Sequence, residues 1–199
     1  MDFYDAVRKR RMVRAFEQRP VARDILGRVL DAARRAPSAG YSQGFEFVVL
    51  QSPEERQLYW ETTNHPDFPY EPEELASAPP VLVLPLADKA AYLERYSRPD
   101  KIAFGLDDES RWPVPYWYID TAMAVMVMLL AAVSEELGGW FFGISHGEQP
   151  LLEQLGVPAA YKPIGVVGLG YAAPVETKVG SGKLLRRRPI DEIVHWGHW

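Results

Sequence analysis

Twelve consecutive apolar residues, Ala122 to Val133, lie inside the stretch YWYIDTAMAVMVMLLAAVSEELG (116–138). No other feature restricts the fold as strongly. The run is shorter than the roughly 20 residues that cross a bilayer. It is also too evenly apolar for a helix with one wet face. It predicts a helix through a core or an interface, stopped by Gly138-Gly139. At 199 residues and 47 % hydrophobic, the chain can build one domain (1–199) around that helix.

Other elements follow from local pattern. Asp2 caps a short first helix. Ile25, Leu26, Val29, Leu30 and Ala33 recur at helical spacing before Pro37 and Gly40. FEFVVL (45–50), PVLVLPL (80–86) and PIGVVGLGY (163–171) read as strands, and the glycines of the last imply a close neighbour. Ser52-Pro53-Glu54-Glu55 is a capping box with proline at the first helical position. DKAAYLERYS (88–97) and EQPLLEQLGVP (148–158) read as short helices. Residues 61–79 read as loop. Residues 98–115, with three prolines, read as a variable, lid-like excursion.

Charge is unevenly distributed. The chain is acidic, at −5, yet eight of its 22 basic residues stand in two acid-free windows, 8–14 and 186–188. The overall balance argues against a duplex DNA partner. The two windows suit either solvated surface or a phosphate-sized anion. There is no cysteine, hence no disulfide or thiolate site. The opening MDFYDAV has neither the charged start nor the apolar run of a signal peptide, so a soluble cytoplasmic protein is expected, with no membrane partner. The 186–199 arm ends in two tryptophans and is expected to dock on a surface, such as that of a second subunit.

Some motifs mislead. GSGKLL (180–185) lacks the first glycine and the Ser/Thr of a phosphate-binding P-loop. Glu192, His195 and His198 have metal-like spacing, but Gly197 breaks the turn, so no metal is expected. GLGYAA lacks the last glycine of a dinucleotide fingerprint. No serine has the glycines of a nucleophile elbow. A chain without a catalytic set, but with anion-binding ends and many aromatics, suits a cofactor that carries the chemistry.

RRMVRAF (10–16) with RPV (19–21) resembles the Arg-Arg-Ser-x-Arg-x-Phe start of the FMN-dependent nitroreductase family. AARRAPSAGYSQGFEFVVL, the central apolar helix, LGVPAAYKPIGVVGLGY and RRRPIDEIVHWGHW resemble later segments of that family, in the same order. The resemblance implies an α+β fold. Its mixed sheet is layered with helices and built as an intertwined homodimer with exchanged terminal segments and FMN at the interface.

By that resemblance Arg10, Arg11, Met12 and Arg14 fall where the FMN phosphate and ribityl chain are held, with Arg187 (or Arg186 or Arg188) as a distal partner. Pro37, Ser38 and Ala39 fall against the isoalloxazine from the other subunit, and Gln43 at a flavin edge or the ribityl chain. Phe142 and Gly143, with Ile144, fall at the backbone facing flavin N5. Tyr41, Phe104, Trp112 and His146 are expected in the substrate slot. Phe104, Trp112, Tyr116 and Trp117 either cover that slot or pack on the core. Met12, Tyr41 and Gly44 depart from the family's Ser, Asn and Pro, so an atypical ring environment is expected.

The resemblance implies electron transfer from NADH or NADPH through FMN to a small acceptor such as a nitroaromatic or quinone. The alternatives are a non-catalytic flavin-binding or storage protein, and a flavin-fragmenting or F420-using member of the family.

Overall fold

The computed structural model describes residues 1–174 and 186–199, so GSGKLL lies outside the described residues. Strand β2 (Val81–Asp88) is the centre, buried along all but its last residue. It pairs with β1 (Phe45–Leu50) on one side and β5 (Val166–Gly170) on the other, and β3 (Gly138–Phe142) follows β5. The short β4 (Tyr161–Pro163) pairs with the far end of β2. These strand pairs are antiparallel, and among the described residues one isolated parallel bridge joins Met12 to Gly139. Pro85 lacks an N–H, and it falls between the β5 ladder (81–83) and the β4 ladder (86–88), where none is required.

Side chains of β2 alternate between two cores, as strand geometry requires. Val81 and Val83 join α2 (Arg23–Ala33) and α6 (Tyr116–Ser134) through Val29, Val125, Met128 and Leu129. Leu82, Leu84 and Leu86 join α3 (Pro53–Thr62) and α7 (Glu148–Gln154) through Tyr59, Leu151 and Leu152. Each fully buried side chain of this size contributes about 1.5–3 kcal/mol. The central helix therefore lies in a helix–sheet core on one side. Its other side leaves Tyr118, Ile119 and Met126 exposed, as are Phe3, Tyr4 and Val7 on α1 (Phe3–Lys9).

Local signals hold where the chemistry is local. Asp2 caps α1. The Ser52 hydroxyl accepts from Glu55 N at 3.2 Å, and the Glu55 carboxylate accepts from Ser52 N and Gln51 N at 2.8 Å. Those backbone donors hold the Glu55 carboxyl below its ordinary range. Asp88 caps α5 (Lys89–Ser97). The close neighbour expected on β5 is a proline pair: a Cβ at Gly168 would lie 2.6 Å from Pro79, and one at Gly170 2.5 Å from Pro80.

Two segments differ from the reading by pattern. The 61–79 loop contains α4 (Pro72–Ala76), a single capped turn too short to show a period. Gly138-Gly139 do not end the long helix. Helix α6 stops at Ser134, Glu136 takes a left-handed φ of 60°, and the two glycines begin β3.

The 98–115 segment holds two 3₁₀ turns, Ile102–Phe104 and Glu109–Arg111. Trp112 pins it: the indole is 9 % exposed, packs on Tyr92, Tyr96 and Trp117, and donates to Leu106 O at 2.7 Å. In the 186–199 arm Trp196 and Trp199 are open to solvent, with His195 stacked on Trp199 at 4.2 Å.

Candidate functional site

The basic stretch begins where α1 ends. Arg10 is its C-cap, and isolated bridges then tie Met12 to Gly139 and Phe16 to Ala172. Val13 N donates to Gly139 O at 3.0 Å, Phe16 N to Ser77 O at 2.9 Å, and Ala173 N to Ala15 O at 3.0 Å. Val13, Ala15 and Phe16 turn inward, while Met12 and Arg14 point outward with the period of a strand. Gly138 and Gly139 make this docking possible. A Cβ on the first would lie 2.8 Å from Val13, and one on the second 2.6 Å from Leu129.

Arg8 is committed to Asp5 at 2.5 Å. Arg10, Arg11 and Arg14 have no carboxylate partner among the described residues. The Nη1 of Arg10 is buried and has no hydrogen-bond partner among the described residues. A buried guanidinium nitrogen left open is costly unless something fills it. The arm is thus a backbone rail from which the arginines project.

The loop 37–44 is built differently. Gly40, Tyr41 and Gln43 all take left-handed φ values, of 60°, 58° and 52°. For the two non-glycine residues this costs on the order of 1–2 kcal/mol each. The strain is held from below. Asp120, 1 % exposed, accepts from Ala39 N and from Tyr92 Oη, both at 2.8 Å. Burial, and then the bond to Asp120, push the Tyr92 hydroxyl above the ordinary phenol range. Arg95 donates to Gly40 O at 2.8 Å and is itself clamped by Asp100. Ser38 Oγ accepts from Gln43 N at 2.8 Å, which leaves its own proton free to donate. Pro37, Ser38, Ala39 and Gln43 thus share one rigid turn, with Tyr41 projecting into solvent.

Sequence reasoning missed Asp120, Tyr92 and Arg95. A signal was present for the first: Asp120 is the one charged residue in the nineteen of α6.

The remaining residues divide into groups. Phe104, exposed, meets Tyr96, which lies on Gly40, so Phe104 and Tyr41 belong to one aromatic edge. Trp112 is in the core beneath them. Phe142 closes β3, stacked on Trp140 at 4.1 Å and parallel to Trp60 at 6.3 Å. Gly143 is open to solvent. His146 packs against His65. Arg187 is exposed, and Arg188 pairs with Glu192. Among the described residues no three side chains are grouped to hold a metal ion.

The arm docks beside Gly139, just past the C-terminal end of α6. The loop is held by Asp120, near its N-terminal end. Fifteen residues of rise separate Asp120 from Glu135, about 22 Å. In one chain the cations and the strained loop are therefore a helix length apart.

Residues 7–171 match the model of the Nitroreductase family. The NADH dehydrogenase of Thermus thermophilus is 26 % identical, with 98 % of this chain and 96 % of that protein covered. Among solved structures, a nitroreductase family protein from Streptococcus pneumoniae superposes with a TM-score of 0.71 at 20 % identity, covering 98 % and 99 % of the two chains. A nitroreductase-type protein from Exiguobacterium sibiricum, solved with FMN, gives 0.73 at 18 %, covering 98 % and 97 %.

Proposed function

The chain belongs to the nitroreductase family, and from that premise we propose that it is a cytoplasmic, homodimeric FMN oxidoreductase, reduced by NADH or NADPH and oxidised by a small acceptor such as a nitroaromatic or quinone. The observation that carries this reading is the split site. The cationic arm and the strained loop sit at opposite ends of α6, and a second copy related by a twofold axis perpendicular to that helix would bring the arm of one to the loop of the other. The apolar faces of α1 and α6 suit such a partner, because a patch of Phe3, Tyr4, Ile119 and Met126 is costly in water.

The residues fit FMN on this structure's own terms. Arg10 offers a buried, unfilled guanidinium nitrogen, and Arg11 and Arg14 stand on the same rail, which suits a compact dianion. When bound, the flavin supplies the two-electron chemistry that no side chain here can supply. Arg10, Arg11 and Arg14 bind the phosphate. Ser38 and Gln43 present a hydroxyl and an amide to the flavin's polar edge, with the turn fixed by Asp120 so that no reorganisation is needed. Phe142, stacked on Trp140 and parallel to Trp60, gives the end of β3 an apolar surface beside the exposed Gly143. Tyr41 and Phe104 border the slot from the loop side.

The test uses purified protein. It should be yellow, bleach with NADH or NADPH under nitrogen, and regain colour with a quinone. A yellow protein that neither nicotinamide bleaches would favour a storage role or an F420 reductant. Colourless protein that takes up no FMN would refute the reading.

A further inference from the structure

The loop 63–70 is closed by short-range hydrogen bonds, one of which ends on a titratable ring. Phe68 N donates to His65 O at 3.2 Å and closes the turn His65-Pro66-Asp67-Phe68, with proline in its second place. Tyr70 N donates to Asn64 Oδ1 at 2.9 Å. Thr63 is 2 % exposed and donates to Tyr59 O at 2.8 Å, so Tyr70 Oη, 3.3 Å away, is the donor to Thr63 Oγ1. Inside the turn, Asp67 N donates to His65 Nδ1 at 3.1 Å.

An imidazole nitrogen accepts a hydrogen bond only while it carries no proton. The bond from Asp67 therefore requires a neutral His65, with its proton on Nε2. A proton on Nδ1 would set N–H against N–H. A second imidazole stands in the same contact. His146, from the turn 143–147, lies edge-on to His65 at 5.1 Å, and Phe68 flanks the ring at 5.3 Å. The turn that carries His146 is fixed, because Gly147, with φ of 69°, lies so close to Thr62 O that no Cβ would fit. Two cationic rings at this separation oppose each other. The other ionisable groups on or beside the loop are Glu61, Asp67, Tyr70 and Glu71, and beyond His146 stands Glu148, which Lys162 holds. Neither imidazole has a carboxylate partner among the described residues.

We propose that His65 is a proton switch for this loop. Histidine is the side chain whose charge ordinarily changes between about pH 5 and 8. The uncharged ring holds Asp67 N, and the loop stays closed against the turn 143–147. When His65 takes up a second proton the bond is lost, His146 repels the new cation, and the turn 65–68 swings away. The closed loop is thus present above the transition and lost as pH falls through it, because the bond exists only in the neutral form. What moves is one wall of a cavity of about 240 Å³ lined by Thr63, His65, Phe68, Tyr70 and Ser145. Thr63, bonded to Tyr59 O in the core, stays as its floor. The switch goes beyond the flavoprotein reading and stands without it, since every group in it belongs to this chain.

The test is hydrogen–deuterium exchange on purified protein, corrected for the intrinsic pH dependence of amide exchange, with flavin content measured on each sample. Between about pH 7.5 and about pH 5.5, protection of the segment 65–70 should fall roughly three- to tenfold, the effect of a lost hydrogen bond, while β2 stays constant. His65→Phe keeps a ring beside Phe68 and His146 but has no nitrogen, so its loop should be open at both pH values. His146→Phe keeps a ring beside His65 without the charge, and its loop should be better protected than wild type at the lower pH. Equal protection of wild type at both pH values, or a fall of the same size in His65→Phe, would overturn the proposal, as would a His146→Phe loop no better protected than wild type. The same switch in protein that takes up no FMN would uphold it while refuting the flavoprotein reading.

Discussion

The arm 10–17 and the loop 37–44 solve opposite problems. In the arm the side chains face outward and the backbone is a fixture. Val13, Ala15 and Phe16 are buried, the peptide groups bond to Gly139, Ser77 and Ala172–Ala173, and the arginines are left open. In the loop the backbone is itself the working surface, bent through three left-handed residues and held by Asp120, Tyr92 and Arg95 from distant parts of the chain. An arm of the first kind can lose a side chain without losing shape. A loop of the second kind loses shape when one remote support is removed.

The largest expected effect tests that contrast directly. Asp120→Ala should strand Ala39 N and Tyr92 Oη in the core, and each buried unsatisfied donor costs about 1–3 kcal/mol. Urea denaturation should therefore show a loss of about 2–5 kcal/mol. A loss below about 1 kcal/mol would mean that the loop holds itself. Next, Arg10→Ala should leave the urea midpoint of flavin-stripped protein nearly unchanged while weakening FMN ten- to a hundredfold by fluorescence titration, equivalent to about 1.5–3 kcal/mol. Unchanged FMN affinity in Arg10→Ala, Arg11→Ala and Arg14→Ala alike would remove the arm from the site.

Gly138→Ala sharpens the comparison from the other side. The new Cβ meets the stiff, branched Val13 at 2.8 Å. Overpacking of this kind costs about 1–3 kcal/mol. The arm should shift and FMN binding should weaken with every arginine still present. Normal FMN affinity in that variant would show that the rail does not set the position of the cations. The smallest effect belongs to Tyr41→Asn. Asparagine tolerates a left-handed φ better than tyrosine, so thermal melts should show a gain of up to about 1 kcal/mol. With the ring gone from the loop edge, kcat/KM for bulky quinones should rise while FMN affinity stays level. If neither property moves, Tyr41 shapes neither the loop nor the slot.

How much of this was legible in the sequence tracks the distance over which the causes act. The capping box at Ser52, the Asp2 cap and the strands read at 45–50 and 80–86 depend on neighbours a few residues away, and local pattern finds them, the second strand running on to Asp88 in the fold. Strand β3 was not legible, because GGWFF opens with two poor strand formers. Their presence makes sense only once Val13 and Leu129 are seen pressing on them. The two groups of slot residues were equally hidden. Nothing in residues 98–117 distinguishes Trp112, sealed beneath Tyr92 and Tyr96, from Phe104, which stands in solvent.

The sequence by itself determined the family membership. The ordered motifs from Arg10 to the end of β5, the cations free of acids, and a helix too apolar to stand in water all survive any folding of the rest. They are properties of residue type and short spacing. Only the tertiary structure decided that the arm and the loop lie at opposite ends of α6. It also paired His65 with His146, 81 residues apart in the chain, and set a lone aspartate in an apolar helix as the support of the strained turn. Those are long-range juxtapositions, and a chain specifies them through the packing of its whole core rather than through any segment that can be read alone.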